Sequence, residues 1–74
     1  MTMPFYTVKA YNDSKSVKDF GLDAVSRIAA IRITNEWLAL ENKSADMWSV
    51  YRNADMTNAS YYRRVNGRYK TIAR

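Results

Sequence analysis

The chain has 74 residues, a net charge of +5, and neither Cys nor His. A chain this short supports one modest core, so a single domain spanning residues 1–74 is expected. Disulfides, ordinary zinc sites and His- or Cys-based catalysis are excluded together, and oligomerisation is the stabiliser that remains open. The amino end, MTMPFYTVKA, has no cationic head followed by an apolar stretch. No run of roughly 18 apolar residues occurs that would span a bilayer. A soluble, cytoplasmic protein is expected.

In chain order, FYTVKAY (Phe5 to Tyr11) is aromatic and β-branched and follows Pro4, which predicts a first strand. NDSKS (Asn12 to Ser16) is turn-like, with Asp and Ser side chains suited to cap a helix start. Val17 to Phe20 is read as a first helical turn, interrupted by Gly21. The main helix is expected from Leu22 or Asp23 to about Glu41, with Asn42 as a left-handed stop. Asp23 with Arg27, and Arg32 with Glu36, are spaced four apart and are expected to meet on its surface.

That helix carries two apolar faces. Leu22, Val25, Ala29, Ile33, Trp37 and Leu40 recur at steps of three and four and are expected to face the core. Ala24, Ile28, Ile31, Asn35 and Leu38 lie on roughly the opposite side, with Asn35 where a coiled coil sets its register. This second face is a candidate protein interface, for self-association or for another protein. Its alternative is that the apolar members fold under loops and termini while Asn35 is solvated.

MWSVYRN (Met47 to Asn53) alternates with period two and predicts a strand, followed by the connector ADMTNAS. The closing segment sets strand formers on both sides of Asn66-Gly67, the favoured pair for a tight type I′ turn. The resulting hairpin register sets Val65 opposite Arg68, Arg64 opposite Tyr69, Arg63 opposite Lys70 and Tyr62 opposite Thr71. Arg63, Val65, Arg68 and Lys70 then share a face, with like charges directly across the pair. The expected fold class is α+β, one long helix on a small antiparallel sheet in the order β-α-β-β-β.

A competing reading takes VYRNADMTNASYYRRVNG, eighteen residues, as a helix-turn-helix. It resembles the repressor pattern in which Ser or Thr opens the recognition helix and Asn-Gly follows it, here Thr57 and then Asn66-Gly67, with Val50, Ala54, Met56 and Tyr61 at buried positions. That resemblance implies a DNA-binding regulator. The strand-forming residues around Asn-Gly favour the hairpin instead.

Charge is unevenly spread. Six cations meet six acids up to Val50, whereas Arg52, Arg63, Arg64, Arg68, Lys70 and Arg74 face only Asp55 afterwards. An anionic partner is expected for the last third, nucleic acid or an acidic protein surface. For nucleic acid, Arg63, Arg64, Arg68, Lys70 and Arg74 are the candidate phosphate contacts, with Tyr62 and Tyr69, or Tyr61, as stacking groups. The ordinary alternative makes those tyrosines sheet core and the arginines a solvated face. A second class is a protein-binding inhibitor or adaptor of a host or defence complex; the size, the absence of Cys and the lack of a catalytic set look like the small accessory proteins of bacteriophages. Enzymatic function is not expected, because the seven acids are scattered and Asp19 with Asp23 suits helix-end charges better than an acid-base pair. With Gly21 and Gly67 as the sole glycines there is no phosphate loop. No cofactor, metal, small-molecule substrate or membrane is implied.

Overall fold

The structure, a computed structural model, describes residues 3–52 and 58–72. It is α+β, with β1 at Phe5–Asn12, β2 at Lys15–Asp23, α1 at Arg27–Leu40, β3 at Met47–Tyr51, β4 at Ser60–Val65 and β5 at Arg68–Ile72. The strands form one five-stranded antiparallel sheet in the order β2-β1-β3-β4-β5.

The element order corrects the β-α-β-β-β expectation, because a hairpin precedes the helix. Residues read as cap, helical turn and helix start form β2 instead. Asp13 and Ser14 both take positive φ, 54° and 66°, and make the two-residue turn that pairs Asn12 with Lys15. Neither caps the helix. From there Lys18, Phe20 and Leu22 point to one face while Asp19, Gly21 and Asp23 point to the other, the period of a strand. A register irregularity between Ala10 and Tyr11 blurs that alternation at Val17. Gly21 is a strand residue lying under an aromatic ring: a Cβ there would sit 2.9 Å from Phe5 Cζ.

The helix therefore starts later than its apolar periodicity predicted. Ser26, in extended backbone, is the N-cap, and its Oγ accepts from the Ala29 amide at 3.1 Å. Asp23 ends β2, so the Asp23–Arg27 helical pair does not exist. At the far end Asn42 takes φ 57°, with its amide donating to Ala39 O at 3.1 Å and that of Lys43 to Leu38 O at 2.9 Å. This is the two-bond closure of a left-handed helix stop, at the residue expected.

Which helix face is buried is also corrected. Ala30, Ile31, Thr34 and Leu38 are buried; of the expected core face Leu22 is buried, though on β2, and Ala29 and Ile33 pack partly buried against the core, whereas Val25, ahead of the helix, and Leu40 are 72% and 84% exposed. Trp37 lies at the edge, its ring 4.8 Å from that of Phe20. Thr34 explains part of the reversal: its hydroxyl donates to Ala30 O at 2.8 Å, so a residue that reads as polar is satisfied within the helix and packs as an apolar one. The fully buried set includes Trp48, Val8, Val50, Ile31 and Leu38. Each such side chain contributes about 1.5–3 kcal/mol relative to exposure.

The helix-turn-helix reading is overturned. Val50 belongs to β3 and Tyr61 to β4, while Ala54, Met56 and Thr57 lie outside the described residues. Among the described residues no helix is long and apolar enough to cross a membrane.

Candidate nucleic-acid interface

Strand alternation divides the sheet into two faces with different fates. Against the helix lie Tyr6, Val8 and Ala10 of β1, Phe20 and Leu22 of β2, and Trp48 and Val50 of β3. The cross-strand pairs Trp48 with Tyr62, Tyr62 with Thr71, and Arg64 with Tyr69 carry that face on into β4 and β5. The opposite face has no described element packed on it.

The carboxyl-terminal hairpin has the expected register throughout, from Tyr62 opposite Thr71 to Val65 opposite Arg68, with Asn66 and Gly67 both at positive φ. Arg63, Val65, Arg68 and Lys70 accordingly share the open face. Val65, Asn66, Arg68 and Lys70 line a shallow hollow of about 350 Å³ at the hairpin tip.

The remaining candidates separate from that group. Tyr62 is buried, and Tyr69 meets Trp48 edge-on at 5.4 Å while its hydroxyl accepts from Asn35 Nδ2 at 2.7 Å. Neither ring is free to stack on a base, because each side chain is part of the helix-facing layer. Arg64 is also on that side: Nη2 donates to Ala45 O at 3.3 Å, and the guanidinium lies 5.8 Å from the Trp48 ring centre. Arg74 lies outside the described residues.

The second apolar helix face is likewise not a free surface. Ala24, Ile31 and Leu38 are buried in the chain's own core, and Ile28 packs partly buried against it. Asn35 is bonded to Tyr69. A partner cannot reach Ala24, Ile31 or Leu38 without opening the fold.

What the open face holds instead is an aromatic cluster that the sequence reading did not assemble. One cross-strand row runs Asp19, Lys9, Ser49, Tyr61, Ile72, and the next runs Ser16, Tyr11, Met47, Arg63, Lys70. Tyr51 lies two residues beyond Ser49 on the same face of β3. Tyr11, Tyr51 and Tyr61 are half-buried around the buried Ser49, whose Oγ donates to Tyr11 Oη at 3.5 Å. Lys9 Nζ stands 5.8 Å from the centre of the Tyr51 ring. Partial burial, and then the neighbouring Tyr61 phenol, push the Tyr51 hydroxyl above its ordinary pKa.

Among the described residues no cation of the open face is in salt-bridge range of a carboxylate. There the ion pairs are Lys18 with Glu41 at 2.6 Å and Lys43 with Glu41 at 3.7 Å. The Lys18 hydrogen bond, against some opposing desolvation and helped by both lysine charges, holds the Glu41 carboxyl below its usual range. Arg63 reaches Met47 Sδ at 3.9 Å, a contact with no charge to neutralise it. Acids on this face lie on the edge strand β2, with Asp19 opposite Lys9 and Asp23 opposite Phe5, so the face runs from acidic at β2 to basic at β4 and β5.

Comparison with protein-family models, curated proteins and solved structures finds no match to this chain.

Lys9, Tyr11 and Tyr51 were missed in the sequence because they become neighbours of Tyr61 and Arg63 only when β1 and β3 pair and β3 pairs β4. The signal that could have found them is the alternation of Lys9 and Tyr11 with Val8 and Ala10, which already assigns them to the face away from the core.

Proposed function

We propose that this protein is a non-enzymatic binding module that holds a nucleic-acid backbone on the open face of its sheet. Arg63, Arg68 and Lys70 are the phosphate contacts, with Lys9 at the margin. The observation that carries the reading is that these side chains share one face on which no described element packs, with no described carboxylate in salt-bridge range of them. A cross-strand like-charge pair such as Arg63 with Lys70 is relieved by an anion between the two groups. Arg64 is assigned to packing over Trp48 instead of to phosphate.

Binding is expected to weaken steeply with salt, as counterions released from phosphates dominate its free energy. Replacing Arg63, Arg68 and Lys70 together with Ser is expected to weaken binding and to flatten the slope of log K against log salt by about 2–3. Anisotropy titrations of a labelled oligonucleotide at several salt concentrations measure both quantities. Undiminished binding by a triple variant with wild-type circular dichroism contradicts the proposal.

A second reading, a protein-binding adaptor or inhibitor, has its own observation. Leu40 is 84% and Trp37 38% exposed near the carboxyl-terminal end of α1, an apolar surface away from the basic face. A pull-down partner retained in high salt and after nuclease treatment, and lost in Leu40→Glu, favours that class over the first.

A further inference from the structure

Resting on the nucleic-acid reading, we infer that the ligand is single-stranded and that its unpaired bases stack on Tyr11, Tyr51 and Tyr61. Three observations carry this beyond a generic basic surface. First, the tyrosines come from three strands adjacent in the sheet, β1, β3 and β4. Strands lie about 4.8 Å apart, so the three rings emerge within about 10 Å across the sheet. A duplex keeps its base faces inside its own stack; a flexible single strand presents them.

Second, the rings are partly exposed on a face that no described element covers, while Tyr62 and Tyr69 are drawn into the helix-facing layer. Of their hydroxyls, that of Tyr11 accepts from Ser49 Oγ at 3.5 Å. Lys9, over the Tyr51 ring, is the one described cation covering this cluster, and its long flexible stem is free to move aside and meet a phosphate.

Third, aromatic and cationic groups interleave. Tyr11 and Arg63 share a cross-strand row with Lys70, and Tyr61 is two residues before Arg63 on one strand. Same-face neighbours along a strand are about 6.6 Å apart. That spacing sets a base-sized platform beside a phosphate-sized charge, the arrangement by which sheet surfaces hold single strands without reading sequence. Asp19 and Asp23 on β2 repel phosphate from the opposite margin, so the strand is directed toward β4 and β5.

The test uses the full chain and three labelled probes at low salt: a twelve-nucleotide oligo-dT, the matching oligo-U, and a twelve-base-pair duplex. At least one single strand is expected to bind tenfold or more tighter than the duplex, and the better of the two identifies the sugar. Tyr51→Leu and Tyr61→Leu keep an apolar side chain at these positions and are expected to lose roughly tenfold in single-strand affinity each. Their salt slope should be unchanged, because no phosphate contact is removed. Tyr51→Phe and Tyr61→Phe retain the stacking ring and should bind within about twofold of wild type, which separates stacking from a structural role. Duplex affinity equal to that of both single strands, or Leu variants that bind as wild type, overturns the inference while leaving the phosphate reading intact. Failure of all three probes to bind overturns both.

Discussion

Arg63 and Lys70 lie directly opposite each other on β4 and β5, two exposed cations on one face of a two-residue hairpin. Cross-strand neighbours of like charge destabilise a ladder, and opposite charges in the same place stabilise it, each by about 0.2–1 kcal/mol. Exposure puts this pair at the low end of that range. Lys70→Glu is therefore expected to raise the stability of the free protein by about 0.5 kcal/mol while weakening oligonucleotide binding at least tenfold. Urea denaturation and anisotropy measure the two halves. A variant that is both less stable and bound as tightly as wild type would show that this pair has no part in anion binding.

The two tight turns make a matched pair of predictions. Gly67 has φ 78° in open space, with nothing within 4 Å of where a Cβ would stand, so Gly67→Ala is penalised by backbone conformation alone. A loss of about 1 kcal/mol is expected. Ser14 occupies the equivalent position of the β1–β2 turn at φ 66°, where a side chain is strained. Ser14→Gly relieves that strain at some cost in unfolded-chain entropy, and a net gain of up to about 1 kcal/mol is expected. Opposite shifts in the urea midpoint at unchanged slope are the expected result.

These turns also show why one hairpin was legible and the other was not. Asn66-Gly67 announces positive φ at both positions, so the register of β4 with β5 followed from the sequence residue by residue. Asp13-Ser14 adopts the same backbone with residues that equally suit a helix cap, and the local pattern held no means of choosing. What decided β2 was pairing with β1, a contact between segments that the periodicity of either one alone does not contain. The helix shows a related failure. Apolar residues ring it almost completely, and the outcome turned on Thr34 satisfying its own hydroxyl and on Asn35 finding Tyr69, neither visible to a count of apolar positions. The site suffered in consequence: once Tyr62 and Tyr69 were committed to the core side, the aromatic half of the surface had to come from Tyr11, Tyr51 and Tyr61.

The reversal of helix faces is testable by charge insertion. Ile31 has no exposed surface, so Ile31→Glu buries a carboxylate without a partner and is expected to unfold the domain. Leu40 is 84% exposed, and Leu40→Glu should change stability by no more than about 0.5 kcal/mol. Circular dichroism and denaturation of the two variants check this directly. A folded, merely dissociated Ile31→Glu protein would restore that residue to an intermolecular surface.

The Tyr51 hydroxyl supplies a dependence on alkaline pH with a definite sign. Burial and then Tyr61 favour its neutral form, so its pKa is higher folded than unfolded, where tyrosine titrates near 10. The folded state thus holds this proton more tightly. The corresponding stabilisation is complete below about pH 10 and is lost as pH rises through the folded value. Tyr51→Phe removes the titrating group and keeps the ring, so the two proteins isolate the effect. At pH 8, where the phenol is neutral folded and unfolded, the two proteins should differ by no more than about 1 kcal/mol. By pH 11 that difference should move in the variant's favour, because only wild type must place a phenolate in the half-buried cluster beside Tyr61 and Tyr11. Parallel urea series at the two pH values make the comparison, and a stability difference that stays constant between them would mean that the Tyr51 proton is not held by the fold.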